Sequence, residues 1–170
     1  TILAVIHCGA TPVFIDAELS TYNINSDLIE GAISKKTKGV LVTHLFGLPC
    51  NVRKIVDICS SNNLLLFEDC AQSIGTLVGS DHTGTFGVAG CFSFYPTKTI
   101  GALGDAGLIV TNDDSVFNLA KSFRNYGSSE KYVFSRVGFN SRLDEIQAAI
   151  LRVKLRHITT ALSHRRTLGA

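Results

Sequence analysis

"GVLVTHLFGLPCNVRKIVDICSSNNLLLFEDC", from Gly39 to Cys70, decides the fold. Its opening, Gly39 to Gly47, is apolar and β-branched and reads as a strand leaving into a glycine turn. Asn51 then stands as a good N-cap, and Val52, Ile55, Val56 and Cys59 recur at helical spacing. "LLLFEDC", from Leu64 to Cys70, is continuous rather than alternating, as in a strand covered on both faces. Strand, helix, strand with buried strands points to an α/β fold with a mainly parallel sheet.

The same alternation continues outward. "PVFID" (Pro12 to Asp16) reads as a strand, and Ser26 precedes "DLIEGAIS", with Asp27 and Glu30 in the first turn of a capped helix. "GCFSFY" (from Gly90) and "GLIVTN" (from Gly107) read as further strands. A helix opens at Asp113 or Asp114 and runs to about Arg124. "LDEIQAAILRVKL" (Leu143 to Leu155) reads as a strongly amphipathic helix. The expected architecture is a three-layer α/β sandwich around a mainly parallel central sheet. Functional loops then lie at the carboxyl ends of the strands, where Asp69 and Lys98 stand.

The chain has 170 residues, 45% hydrophobic and 18% charged, which suits a folded domain with a sizeable core. A net charge of +2 is too small to argue for nucleic acid or an anionic membrane as partner, and no apolar run has membrane-spanning length. The five cysteines (Cys8, Cys50, Cys59, Cys70 and Cys91) form no CxxC pair, so neither a metal site nor a redox motif is expected. Reduced thiols in a cytoplasmic protein are the simplest reading. The chain starts at Thr1, contains no methionine and begins inside an apolar segment, so a piece of a longer protein is expected.

"GCFSFYPTKTIGALGDAG" (Gly90 to Gly107) carries only two charged side chains, Lys98 and Asp105. A lysine placed after an apolar, aromatic run is expensive to bury while charged. A neutral lysine amine condenses with an aldehyde to form a Schiff base, and pyridoxal phosphate is the commonest such partner. That cofactor needs a carboxylate on its ring nitrogen, which Asp69 offers, and a hydroxyl for its phosphate, which Ser93 offers. The bland alternatives are equally concrete. Asp69 caps a helix starting at Ala71, Lys98 is a surface-loop lysine, and Ser93 faces the core with a backbone partner.

Several longer stretches occur together: "EDCAQSIG", "GTFGVAGCFSFYPTKTIGALGDAG", "RNYGSSEKYVFSRVGFNSRLDEIQAAILRVKL", "GATPVFID" and "THLFGLP". They resemble, in order and spacing, the DegT/StrS nucleotide-sugar aminotransferases, which are fold-type-I pyridoxal-phosphate enzymes of the aspartate-aminotransferase superfamily. "GALGDAG" and "RNYGS" with "KY" look most like members acting on dTDP-linked 3-keto-6-deoxyhexoses.

The resemblance implies roles residue by residue. Lys98 carries the cofactor and moves the proton in transamination; members with histidine in its place are dehydratases. Asp69 holds the ring nitrogen, Gln72 lies beside the ring, and Ser93 binds the phosphate. Asn140 reaches the phosphate of a neighbouring subunit in a homodimer with shared active sites. His44, Tyr132 and Arg142 are candidate substrate-side residues, Arg142 also being free to pair with Asp144 or Glu145. The implied reaction passes an amino group from glutamate to the keto group of a nucleotide-linked deoxysugar, as in amino-deoxysugar and O-antigen biosynthesis. No basic cluster for a nucleotide diphosphate is evident in the sequence.

The resemblance also implies that residues 1–155 form a partial cofactor-binding large domain. Residues 156–170 then begin a connecting helix toward a small domain outside the chain. Two alternatives are an inactive remnant that only folds and associates, and a pyridoxal-phosphate sugar dehydratase. A nucleotide-binding α/β module is the third, and it lacks the glycine loop between a first strand and a helix that it needs.

Overall fold

A computed structural model describes residues 1–169 of the chain. Its helices are α1 (Ile2–His7), α2 (Ile29–Ala32), α3 (Val52–Ser61), α4 (Asp114–Phe123), α5 (Glu145–Leu155) and α6 (Ile158–Gly169). Its strands are β1 (Gly39–Thr43), β2 (Leu65–Asp69), β3 (Leu77–Val78), β4 (Asp81–His82), β5 (Ala89–Ser93), β6 (Gly107–Val110), β7 (Ser128–Glu130) and β8 (Val133–Phe134). The central sheet runs β1-β2-β5-β6, with β3-β4 and β7-β8 as separate two-stranded hairpins. β1, β2 and β5 are parallel and β6 is antiparallel to β5, so the mainly parallel sheet expected from the sequence is present.

α3 forms where the spacing placed it, as the crossover between β1 and β2. Its Val52, Ile55 and Cys59 are buried with Val42 of β1 and Leu66 of β2 in one core cluster. Asn51 is its N-cap, although the Asn51 side chain makes no capping bond. Asp113 caps α4 by accepting the N–H groups of Ser115 and Val116. A second cluster joins Phe94, Ile100, Ala102 and Leu151, with Ile158 of α6 packed against it.

Four expectations need correction. "PVFID" forms no strand: Ala17 and Ile24 make only an isolated bridge, because no neighbouring strand is available to pair along the segment. The "DLIEGAIS" stretch gives a single 3-10 turn and the four-residue α2, and its first turn is capped by Asn25, whose side chain accepts the N–H of Asp27. β2 alternates: Leu66 and Glu68 are buried, whereas Leu65 and Phe67 are 49% and 37% exposed. One face of the sheet carries α3 and the other lies open, so the continuous apolar run does not mark cover on both faces. In α5 only Leu151 is fully buried, with Ile146 and Val153 exposed, so the apolar stripe of that helix is largely unused here.

Candidate active site

The parallel strands β1, β2 and β5 end at Thr43, Asp69 and Ser93, and this common end is the front of the sheet. Asp69 lies opposite Cys91 in register, and strand alternation puts Asp69, Cys91 and Ser93 on the open face. Asp69 Oδ1 accepts the N–H of Ala71 at 3.0 Å, and Oδ2 accepts the hydroxyl of Thr1. No helix starts at Ala71; the bond to its amide closes a turn, so helix capping is not the work of Asp69. Desolvation, and then the negative charge of Asp69, push the Cys91 thiol up from its ordinary range. Ser93 Oγ accepts the N–H of Tyr95 at 3.3 Å. Gln72 is exposed, and its Oε1 accepts the N–H of Phe46 at 2.7 Å, tying the turn after β1 to the turn after β2. Phe46 holds a left-handed backbone (φ 55) and its side chain stands out from the front edge. Such strain in a residue other than glycine clusters at functional edges, a signal that sequence alone does not carry.

Lys98 sits partly buried on the loop that leaves β5, its N–H donating to the Tyr95 carbonyl at 2.8 Å. Among the described residues it has no carboxylate within 4.0 Å. The loop folds back on its own strand: Phe94 donates to the Ala106 carbonyl at 2.8 Å, and Ala102 donates to the Phe94 carbonyl at 2.7 Å. Helix α5 then clamps it. Gln147 Oε1 accepts the Leu103 N–H at 2.8 Å, and Lys154 Nζ donates to the Gly101 carbonyl. Ile100 and Ala102 pack into the second core cluster beneath. A half-buried amine with no counter-ion, on a loop fixed at both flanks, is placed to act as a nucleophile at a constant position.

Behind Asp69, on the covered face, Glu68 is completely enclosed. Its Oε2 accepts His44 Nε2–H at 3.0 Å and the Gly84 N–H at 2.7 Å. Its Oε1 accepts the N–H groups of Phe86 and Gly87, each at 2.8 Å. His44 Nδ1 accepts the Cys50 N–H at 3.3 Å, so the ring is neutral with its proton on Nε2. Burial pushes the Glu68 carboxyl up, but the bonds from His44 and the three backbone amides outweigh it and hold the group below its ordinary value. The substrate role expected of His44 is therefore corrected: the ring is wholly buried with both nitrogens engaged, and it cannot meet a ligand. His44, Glu68 and Cys70 offer atoms within 4.8 Å of one another, yet this is no metal centre. His44 Nδ1 and both Glu68 oxygens are spent accepting N–H groups, His44 Nε2 carries the proton it donates to Glu68, and burial pushes the Cys70 thiol up to about 12.

The remaining expected residues lie elsewhere. Asn140 bridges to Asn125 beyond α4, and its Oδ1 accepts Arg142 Nε–H at 3.1 Å. The Arg142 guanidinium also lies 5.5 Å from the Tyr126 ring centroid, so neither Asp144 nor Glu145 is its partner. Tyr132 is 81% exposed at the tip of the β7-β8 hairpin. Arg142 lines a cleft of about 990 Å³ between α4 and that hairpin, which Asp69, Gln72, Ser93 and Lys98 do not line. The candidates thus divide between the front of the sheet and this second cleft. At the front, a carboxylate, a hydroxyl and an unpaired amine form a donor set that fits an aldehyde cofactor with a basic ring and an anionic group.

A model of the DegT/DnrJ/EryC1/StrS aminotransferase family matches residues 1–170. A dTDP-3-amino-3,6-dideoxy-alpha-D-galactopyranose transaminase from Aneurinibacillus thermoaerophilus is 44% identical over 170 residues, covering 100% of this chain and 47% of its own. The crystal structure of S. venezuelae DesV in complex with a ketimine intermediate is similar at a TM-score of 0.90 and 38% identity, over 94% of this chain and 43% of that one. An E. coli GDP-4-keto-6-deoxy-D-mannose-3-dehydratase with bound hydrated PLP follows at 0.88 and 26%, over 96% and 46%. The chain spans less than half the length of these relatives.

Proposed function

We propose, from the premise that the chain belongs to the DegT/DnrJ/EryC1/StrS aminotransferase family, that it is the cofactor-bearing part of a pyridoxal-phosphate sugar aminotransferase. The reaction is transfer of an amino group from an amino acid, glutamate in our reading, to a keto group on a nucleotide-linked deoxysugar. The observation that carries this is Lys98: partly buried, without a carboxylate partner, and clamped by α5 beside the carboxyl ends of the strands. When bound, pyridoxal phosphate supplies an aldehyde and an electron-withdrawing ring. Lys98 would hold it through Nζ. The same amine, when free, takes and returns the proton at the carbon that bears the amino group. Asp69 would face the ring nitrogen, the Ser93 hydroxyl would donate to the phosphate, and Gln72 would border the ring. A lysine rather than a histidine at position 98 favours transamination over dehydration.

A homodimer in a cytoplasmic setting completes the reading. It gives Asn140, Arg142 and Tyr132, which lie away from the front of this chain, a second front to serve. No helix among the described residues is long and apolar enough to cross a membrane.

Reduction with borohydride after mixing the chain with pyridoxal phosphate tests the reading. Mass spectrometry of the digest is expected to find one adduct, at Lys98, that disappears in Lys98→Ala. Adducts scattered over surface lysines and unchanged in the variant would remove the cofactor site.

A further inference from the structure

Phe46 and Gly47, just past the front end of β1, follow one another in the left-handed region, at φ 55 and φ 83. Glycine adopts that conformation freely and phenylalanine does not, so Phe46 persists there only if its surroundings over-determine it. Its side chain is 78% exposed and supplies little packing to hold it. Hydrogen bonds from outside the turn hold it instead. Asn23 brackets the pair: its Oδ1 accepts the Leu45 N–H at 2.9 Å, and its Nδ2 donates to the Leu48 carbonyl at 3.0 Å. Thr76 Oγ1 donates to the Gly47 carbonyl at 2.9 Å, and the Phe46 N–H donates to Gln72 Oε1 at 2.7 Å.

Asn23 is the buried member of this set, 3% exposed and 22 residues from Leu45 in sequence. Its own backbone is fixed from behind, its carbonyl accepting the Glu18 N–H at 2.8 Å and its N–H donating to Thr21 Oγ1 at 3.2 Å. Truncating its side chain leaves the Leu45 amide and the Leu48 carbonyl without partners, and nothing else then brackets the left-handed pair. Gln72 is the exposed member. A backbone N–H can be met only by an acceptor, so the Gln72 amide is oriented with its oxygen toward Phe46 and its nitrogen left to donate. Without that N–H the two orientations of the amide are no longer distinguished.

We infer that Asn23 is a positioning residue for the front site. It holds the turn in the backbone conformation that aims the Phe46 N–H at Gln72, and so makes Gln72 a donor, not an acceptor, toward what binds in front of Asp69. An anionic oxygen is the group that such a donor selects. The inference rests on the aminotransferase reading for the identity of that group, the ring oxygen of pyridoxal phosphate, whereas the relay from Asn23 to Gln72 stands on these hydrogen bonds alone. Sequence hides the relay, because Asn23, Phe46 and Gln72 come from three separate segments that no spacing rule connects.

Absorbance of the chain mixed with pyridoxal phosphate, read at one neutral pH, tests it. The lysine-linked cofactor has two bands, one with a proton on the linking nitrogen and one without. A donor on the ring oxygen draws off the negative charge that retains this proton. Gln72→Ala is therefore expected to raise the ratio of protonated to unprotonated band about tenfold, the scale of one hydrogen bond to a charged oxygen. Asn23→Ala, which leaves Gln72 in place, is expected to raise it by about the same factor, and the double variant by no more than either alone, since each removes the same donor. Thr76→Val, a change of similar shape on the other side of the turn, is expected to move the ratio the same way by a smaller factor, and it decides the matter if Asn23→Ala does not fold. A lowered urea midpoint in Asn23→Ala with an unchanged band ratio overturns the inference, as does a double variant whose change is the product of the two single ones. Absence of both bands in the parent, or their persistence in Lys98→Ala, removes the cofactor reading and this inference with it; bands in the parent that do not respond to Asn23→Ala remove this inference alone.

Discussion

Glu68 and Asp69 are adjacent carboxylates with opposite duties. Asp69 faces the open side beside Cys91, and Glu68 is sealed behind it, accepting four N–H groups. Glu68→Gln replaces one accepting oxygen by an amide that donates, so donors meet donors. A loss of about 3 kcal/mol is expected, on the scale of leaving buried donors of a charge-assisted hydrogen-bond cluster unsatisfied, readable as a lowered urea midpoint. The pH dependence follows from the depressed carboxyl of Glu68. Its stabilisation is present above the ordinary glutamate range, near pH 4.3. It is lost as pH falls below that range toward the lower folded value, since the unfolded chain takes up the proton first. Acid unfolding followed by circular dichroism is expected to show this slope in the parent and to lack it in Glu68→Gln. Asp69 and Lys98 were legible in the sequence because each is a charge at the end of an apolar run. Glu68 and His44 were not, because their partners come from the Gly84–Gly87 stretch and from Cys50, which no spacing rule connects to them. Gly84 belongs to that enclosure for a steric reason: a Cβ there would come within 2.9 Å of the Phe92 ring, and its backbone is left-handed (φ +91).

At the level of elements, α3 and the strands around it were legible from periodicity, since their buried positions match their spacing. "LLLFEDC" misled because a continuous apolar strand normally has helices on both faces, and this chain provides one of them. α5 presents a different case. Its sequence reads as a helix that buries a wide stripe, yet its clearest work is polar, holding the Lys98 loop through Gln147 and Lys154. Gln147→Ala leaves the Leu103 amide without its acceptor. Hydrogen exchange is expected to speed up at Leu103 by about fivefold, the kinetic equivalent of about 1 kcal/mol for one hydrogen bond. Protection in β2 is expected to stay unchanged. Equal speeding throughout would mean that α5 supports the whole sheet and not the loop.

For the molecule as a whole, the open face is the dominant feature. Leu65, Phe67 and Ile109 lie on it, the last 53% exposed, and β1 is an edge strand beside them. Contiguous apolar surface next to an unpaired edge favours association. Sedimentation velocity is expected to show a concentration-dependent dimer or larger species, shifted toward monomer in Phe67→Lys; a single monomer at every concentration would contradict this. The distribution of charge has its own consequence. The cleft between α4 and the β7-β8 hairpin is lined by five cations, Lys121, Arg124, Lys131, Arg136 and Arg142, and by one acid, Glu130. With that net +4 gathered there, against +2 for the whole chain, −2 is left for the remainder, and the chain is an electric dipole more than a weak cation. It will present the same end to any polyanionic matrix. A cation-exchange resin is therefore expected to retain it beyond what a uniform +2 would give, and small anionic solutes will be drawn to that end before they touch anything else.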